Sequence, residues 1–541
     1  MAAATFIGDA EFTGASVDFP ANFEGVVFER NSTFANAQID GADFKGAAFK
    51  GNCTFNSSHI RENATFSAGN DLPPAKFLHE ADFTAIKVDG AAEFQGVLFN
   101  GETRFNFAMT GLEANFQGTR FKGNATFNAA EFRKVALFDN SPELGIPGAR
   151  FQKEANFTAA HFENAQFGRA EFAGSLKFEH AEVEGRTVFV GARFLSGPAP
   201  DFRGSFFHQE AWFQGVEFPR GADFRGCQFS GEAGFEGTRF LEVAHFEGSR
   251  FAGLALFNSG PDPLGSGRFP GATFGSAQLD HARFESDARF DDTLFTGPVT
   301  LREALFQAVF FSPDGRVSRP DGALAENSGG LGDQFRGTVD LRGCTYQHIQ
   351  VKWDCLLRCP DRTPRLQPYD RQPYIQLEEV LRRAGNDDEA DGVYLERRKV
   401  ERQRKLGFSW CLDKANAMFL NYGVHPYSLL VYVAILLAIG TWVFSRPAAV
   451  SPRGEGTSSL GSTVAPSRCA VGFGVAVHYF LPIEVALGSG WLPSEEAVIL
   501  LRRRLPWFTP TVYATILKIA GWVLVPVGIV ILTGLIRRIS S

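Results

Sequence analysis

Phenylalanine recurs every five or six residues over roughly the first 350 positions of this chain, and no α-helix can use that rhythm. One run reads Phe116, Phe121, Phe127, Phe132, Phe138; another reads Phe202, Phe207, Phe213, Phe218, Phe224, Phe229, Phe235, Phe240, Phe246, Phe251, Phe257. At 100° per residue, five residues sweep about 500°, so successive rings would drift around a helix instead of sharing a face. Where Phe is missing, another apolar residue keeps the register: Ile39, Ile60, Val88, Val183, Leu279. The bias shows in the totals, with 56 Phe against 9 Tyr and 3 Met, and it points to one structural position used many times over.

The residues around each Phe say what that position is. Two places before it stands a small residue, with a polar residue between, as in Ala42-Asp43-Phe44, Ala81-Asp82-Phe83, Ala125-Thr126-Phe127 and Ala222-Asp223-Phe224. In a strand, residues i−2 and i point the same way and i−1 points oppositely. The triplet therefore places Ala and Phe inside and the polar residue outside. The next two or three residues must turn a corner, and Gly often stands two after the Phe, as in Phe116-Gln117-Gly118 and Phe224-Arg225-Gly226. Four corners close a square coil of about 20 to 22 residues, and coils stacked at about 4.8 Å bury what one coil cannot. About 15 to 16 coils are expected, a rod of roughly 70 Å.

On these residues the chain resembles the pentapeptide-repeat proteins, in the variety with Phe at the central position. The resemblance covers about residues 5–353 and implies a mainly β fold, a right-handed quadrilateral β-helix. The six-residue steps depart from a strict five-residue repeat and are expected to widen corners or bulge one face. Asn70–Pro74, Asn140–Gly148 and Ser259–Gly267 read as loops leaving corners, and 312–334 as a longer Gly/Pro/Ser-rich insertion, after which Phe335, Leu341, Tyr346 and Val351 resume the register.

The expected domains are thus a β-helix over 1–353, a helical hairpin cap with a basic juxtamembrane linker over 354–425, and a membrane region over 426–541. Tyr374, Leu377, Val380 and Leu381 recur at helical spacing; Gly385-Asn386 breaks the pattern, and Asp387 is placed to cap a second helix carrying Ala390, Val393 and Tyr394. That helix runs into the basic stretch Arg397–Lys405, read equally as a solvated face or as a juxtamembrane segment. Tyr427–Phe444 and Val512–Ile536 are apolar enough to span a bilayer, the second with Lys518 as its one charge. Ala470–Leu487, interrupted by His478, Pro482 and Glu484, reads as a third span, a re-entrant half-helix or an interfacial segment. Basic residues before Tyr427 place the repeats in the cytoplasm. Seven scattered Cys and an N-terminal stretch without charged or apolar signal regions agree with that placement.

The chemistry readable from the sequence is sparse. No Gly-rich phosphate loop, Gly-x-Ser-x-Gly elbow or His-Glu-x-x-His is present, so no catalytic residue, cofactor or metal ligand is assigned. Cys344, His348, Cys355 and Cys359 lie close in sequence, but Cys344-Thr345-Tyr346, like Cys53-Thr54-Phe55 and Cys227-Gln228-Phe229, repeats the small-x-apolar triplet and reads as core. His478 and Glu484 are the intramembrane candidates. The core ladder is represented by Phe116, Phe121, Phe127, Phe132, Phe213, Phe218, Phe224 and Phe229.

Three functions follow in order. The first is a non-enzymatic, membrane-anchored scaffold that meets protein partners and membrane lipid at the cytoplasmic face, with self-association left open and no nucleic acid expected. The second is a channel or transport subunit: similar proteins fuse such repeats to a helix–pore loop–helix module, although Gly488-Ser489-Gly490 stands where a Thr-Val-Gly-Tyr-Gly filter would be. The third, implied by the resemblance and the acidic repeats, is a DNA mimic acting on a topoisomerase.

Overall fold

The computed structural model describes the chain except residues 1–3, 70, 266, 316, 318–332, 408, 412, 415, 416, 418–421, 423, 425, 426, 447, 453–466, 484, 496–508, 540 and 541, together with the side chains of 530–539. The chain divides into two units, Met1–Tyr394 and Leu395–Ser541.

The first unit is a stack of parallel strands, most of them two residues long, joined one coil apart. Val27–Phe28 pairs with Ala48–Phe49, which pairs with Lys76–Phe77, then Leu98–Phe99, then Arg120–Phe121. On the neighbouring face Ser32–Thr33, Cys53–Thr54, Ala81–Asp82 and Thr103–Arg104 pair in the same way. Residues in contact along the stack are most often 21 or 22 apart in sequence, and from 24 to 40 apart where a loop intervenes. The pleat delivers what the triplet asks for: Ala42 and Phe44 are buried and Asp43 between them is half-exposed.

The two step lengths have different backbone causes. Most five-residue steps are tight turns in which the amide three after the Phe donates to the Phe carbonyl, as Val26 to Phe23 at 3.1 Å and Ala130 to Phe127 at 3.1 Å. The residue two after the Phe then has positive φ, as required at the third position of a type II turn. Gly25, Gly46, Gly96, Gly118 and Gly226 fill it, but so do Asn36, Ala85, Ala129, His180 and Asp292. Six-residue steps make the wider corners. At some of them the strand runs straight through, as in Glu131–Leu137, Arg239–His245 and Arg283–Phe290, with the register shifting between Phe132 and Val135, Phe240 and Val243, and Phe284 and Asp287. The extra residue is thus absorbed as a bulge.

Stacking at the strand spacing turns each face into a column of rings. Phe116 lies 4.7 Å from Phe138 at 3°, Phe121 4.8 Å from Phe151 at 4°, Phe127 4.7 Å from Phe157 at 7°, and Phe132 4.9 Å from Phe162 at 11°. Phe213, Phe218, Phe224 and Phe229 stack on Phe235, Phe240, Phe246 and Phe251 at 4.7–5.1 Å. Rings of adjoining columns meet edge-on, Phe213 and Phe224 at 84°. Each such pair adds about 0.5–1.5 kcal/mol beyond the area it buries. Ile39, Ile60, Val88, Val183 and Leu279 are buried in the same columns, and so is Thr110, whose polar side chain hides it from an apolar search. Not every Phe is inside: Phe19 and Phe107 are more than half exposed.

The loops fold back on the stack. Gly69 and Leu72, Ser141 and Ile146, and Gly260–Pro261 with Arg268–Phe269 form small antiparallel hairpins. The insertion expected at 312–334 lies mostly outside the described residues; on its far side Phe335 rejoins the column 5.1 Å from Phe295.

The last long strand, Thr345–Gln350, is followed by a short helix, α1 (Trp353–Leu357), ahead of the expected hairpin. The hairpin is α2 (Gln372–Arg383) and α3 (Asp387–Gln403). Gly385 takes the left-handed conformation that ends α2. Asp387 lies within the first turn of α3 and does not cap it; the carbonyl of Asn386 accepts the first helical bond, from the Ala390 amide at 3.0 Å. α2 covers the open edge of the stack: Gln372 Nε2 donates to the Cys344 carbonyl at 3.0 Å and Gln376 Nε2 to the Tyr346 carbonyl at 3.2 Å. Carbonyls that would otherwise seek a further coil are satisfied there.

The second unit contains α4 (Tyr427–Phe444), α5 (Arg468–Phe480) and α6 (Pro510–Ile539). Among the described residues one helical stretch, Pro510–Ile529, is long and apolar enough to cross a membrane; the apolar stretch of α4, Leu429–Phe444, is shorter. Ala470–Leu487 is not one continuous helix. Leu481 is already extended, as favoured before Pro482, so α5 ends after 13 residues.

Candidate functional site

Two surfaces carry the functional expectations, the outside of the β-helix and the apolar C-terminal unit. On the β-helix the outward residues pair between coils. Lys50 meets Glu29 at 2.8 Å, Arg150 meets Glu171 at 2.8 Å, Arg239 meets Glu217 at 2.8 Å and Arg250 meets Glu285 at 2.8 Å. Such exposed pairs add little stability, about 0–1 kcal/mol each. Their effect is to set a cation beside many of the acidic side chains. A shallow groove of about 800 Å³ runs beside the capping helix, lined by Arg283, Glu285, Gln307, Gln347, Gln376 and Arg383 among others.

The three cysteines of the small-x-apolar triplets sit where Ala usually sits. Cys53, Cys227 and Cys344 are buried, and burial raises all three thiols, that of Cys344 to about 12. Thiols so held stay protonated and inert. Cys344, His348, Cys355 and Cys359 do not converge as a metal-binding group among the described residues.

One group the sequence reasoning missed does converge. His161, Glu182 and Glu184 bring ligand atoms within 4.8 Å of one another, and His208 Nε2 lies 3.1 Å from Glu182 and 3.8 Å from Glu184. The available signal was the coil length: residues about one coil apart stack on each other.

A different burial occurs under the 260–269 hairpin. Phe269 lies over Gly215 and Gly237, where any Cβ would come within 2.6–2.9 Å of its ring. Beneath it Glu236 is almost fully buried with one carboxylate oxygen unpartnered, and burial raises its carboxyl to about 7.

In the C-terminal unit, small residues set the packing. A Cβ on Gly472 would lie 2.6 Å from the Thr441 carbonyl oxygen, and one on Gly521 would lie 1.5 Å from the Phe480 carbonyl oxygen. Small residues let helix backbones approach this closely. After α5 the chain doubles back along it: the His478 ring Nδ1 is 2.9 Å from the Val485 carbonyl oxygen, and a Cβ on Gly488 would meet Gly474 backbone at 2.4 Å. Trp491–Pro493 then pairs with Val450–Pro452, which follows α4. α6 runs antiparallel to α4, with Tyr513 Oη donating to the Leu436 carbonyl at 2.8 Å and Gly528 near Leu429. Of the two intramembrane candidates, His478 therefore fastens the return segment, while Glu484 lies outside the described residues. Leu430, Val431, Ile435, Ile439, Trp522 and Val523 are exposed large apolar side chains on α4 and α6.

In the basic stretch, Arg398 and Lys405 reach Asp413 at 3.2 and 2.8 Å, and Tyr422 Oη donates to the same carboxylate at 2.7 Å. Burial pushes the Asp413 carboxyl up, but the bonds from Lys405 and Tyr422 outweigh it and hold it below the usual carboxylate range. These cations are not simply a solvated face.

The family model for pentapeptide repeats, in nine copies, matches residues 2–47 and 213–259. Those two stretches carry pentapeptide repeats. The matched stretches lie within the stacked unit, and one column of stacked rings, Phe49, Phe77, Phe99, Phe121, Phe151, Phe172, Phe194 and Phe218, runs between them. No curated protein and no solved structure matches the chain.

Proposed function

We propose that this pentapeptide-repeat protein is a non-enzymatic scaffold tethered to a membrane by its C-terminal unit. The observation that carries the reading is the pairing of two unlike surfaces in one chain. The β-helix presents polar, ion-paired faces and a groove beside its cap; α4 and α6 present apolar side chains that water would not tolerate as a free surface. The reading includes a right-handed winding of the coils, two spans formed by α4 and α6, and repeats on the cytoplasmic side. Buried free thiols and the basic residues preceding α4 support that side. The locally matched charges of the β-helix favour a protein partner over mimicry of DNA, which needs an unbroken acidic surface. The test is affinity capture from detergent-solubilised membranes with the full chain and with Met1–Tyr394. The scaffold reading expects the shorter chain to leave the membrane fraction and keep the same partners. Loss of every partner on truncation argues against it.

A second reading, a channel or transport subunit, is favoured by the course of α5 and its return strand between two antiparallel apolar helices. At about 20 Å, α5 is too short to span. Helix–half-helix–return–helix is an arrangement in which irregular backbone can be buried at membrane depth. Ion flux into liposomes loaded with the full chain, abolished by Glu484→Gln or His478→Ala, would put this reading first; no flux above empty liposomes would remove it.

A further inference from the structure

Along the β-helix many exposed carboxylates face arginine or lysine, but one pair of neighbouring glutamates faces two histidines instead. His161–Gln166 stacks on Glu182–Val183, placing His161 over Glu182, and Glu182–Val183 stacks on Phe206–Phe207. Glu184 and His208 follow those two strands at equivalent positions. The four side chains therefore form a staggered patch on the outside of three successive coils, His161 on the first, Glu182 and Glu184 on the second and His208 on the third. His161 Nδ1 is 3.6 Å from Glu182 Oε2, and His208 Nε2 is 3.1 Å from Glu182 Oε1 and 3.8 Å from Glu184 Oε1. Among the described residues no arginine or lysine pairs with either glutamate, and this is the one place where three or more His, Cys, Asp or Glu side chains bring ligand atoms within 4.8 Å of one another. Elsewhere a histidine meets a single carboxylate side chain, as His245 with Glu247 or His281 with Glu303, or shares one with a lysine, as His59 and Lys87 share Asp89.

We propose that His161, Glu182, Glu184 and His208 form a binding site for a divalent transition-metal ion of the zinc class. Two imidazoles with two carboxylates is a borderline nitrogen–oxygen set, suited to Zn²⁺ and poorly suited to Ca²⁺ or Mg²⁺, which take oxygen alone. A tetrahedral ion with bonds of about 2.0–2.2 Å holds its ligand atoms about 3.3 Å apart. The contacts of 3.1–3.8 Å already lie close to that, and all four side chains are solvent-accessible and free to close the remainder by rotamer adjustment. The ion neutralises the two carboxylates that have no permanent cation. It also ties three coils together from outside, a cross-link independent of the phenylalanine columns.

The test is titration of the detergent-solubilised full chain with Zn²⁺, followed by calorimetry, and with Co²⁺, followed by its visible spectrum. Exposed Cys411 and Cys469 are a second source of binding, and a thiolate site announces itself through intense sulfur-to-cobalt charge-transfer bands. The site predicts one equivalent of Zn²⁺ that is weakened about tenfold or more in His161→Ala and in His208→Ala, with Glu182→Gln doing the same while preserving side-chain shape. It also predicts a Co²⁺ spectrum of that equivalent without thiolate bands. Unchanged stoichiometry and affinity in these variants, binding carried wholly by thiolates, equal binding of Ca²⁺, or no Zn²⁺ binding by the parent chain would each overturn the proposal. Circular dichroism of the variants, expected to match the parent, separates a lost ligand from a lost fold.

Discussion

At the residue scale, the molecule separates two demands that the repeat places on small side chains. Gly248 has φ +68° and open space where a Cβ would go; its role is conformational. Gly123 has no such φ, but a Cβ there would lie 2.2 Å from the carbonyl oxygen of Gly101, one coil away; its role is clearance. Gly248→Ala is expected to cost about 1–2 kcal/mol, the penalty for an L-residue in the left-handed region. Gly123→Ala should cost more, because backbone must move, and chemical denaturation of the two variants side by side checks the order. The ring columns make a further residue-scale prediction. Phe127, buried between Phe105 and Phe157, should lose about 3–5 kcal/mol as Phe127→Ala, while Phe6→Ala, half-buried at the start of its column, should lose much less.

At the scale of elements, the hairpin around Gly260–Pro261 and Arg268–Phe269 and the capping helix each close a surface that the stack leaves open. The hairpin buries Glu236. Because that carboxyl is raised to about 7 in the folded state, well above its unfolded value, the folded state binds the extra proton and stability falls as pH rises from about 4.5 through 7. Glu236→Gln should flatten this slope and leave the variant more stable than the parent at pH 8, measured as thermal midpoints across that range. For the cap, removing the Gln372 and Gln376 side-chain bonds by double substitution to Ala should cost about 1 kcal/mol per bond. It should also speed amide exchange in the 344–350 strand selectively, since that edge alone loses its cover.

At the scale of the whole molecule, the division after Tyr394 separates a unit held by nearest-neighbour coils from one held by close helix contacts. A repeat stack needs only its neighbours and an end cap, both supplied within Met1–Tyr394. That stretch is expected to express as a soluble β-rich protein, read by sedimentation after membrane removal and by circular dichroism; precipitation would mean that the C-terminal unit is needed to finish the stack.

The ladder was legible because stacking converts a local rhythm into a fold: the spacing of Phe116, Phe121, Phe127 and Phe132, with Ala two places before most of them, leaves no other economical packing. The cap and the apolar tail were legible for the same reason, as helical periodicity and as length of hydrophobic run. What the rhythm could not show is which residues meet across coils. Loop lengths change the offset from 21 to 40 residues, so the approach of His161 to Glu182, the burial of Glu236 under Phe269 and the fastening of Val485 to His478 depend on where each loop falls. Those encounters are set by the register of strands and the course of the return segment, which exist only once the tertiary structure has formed.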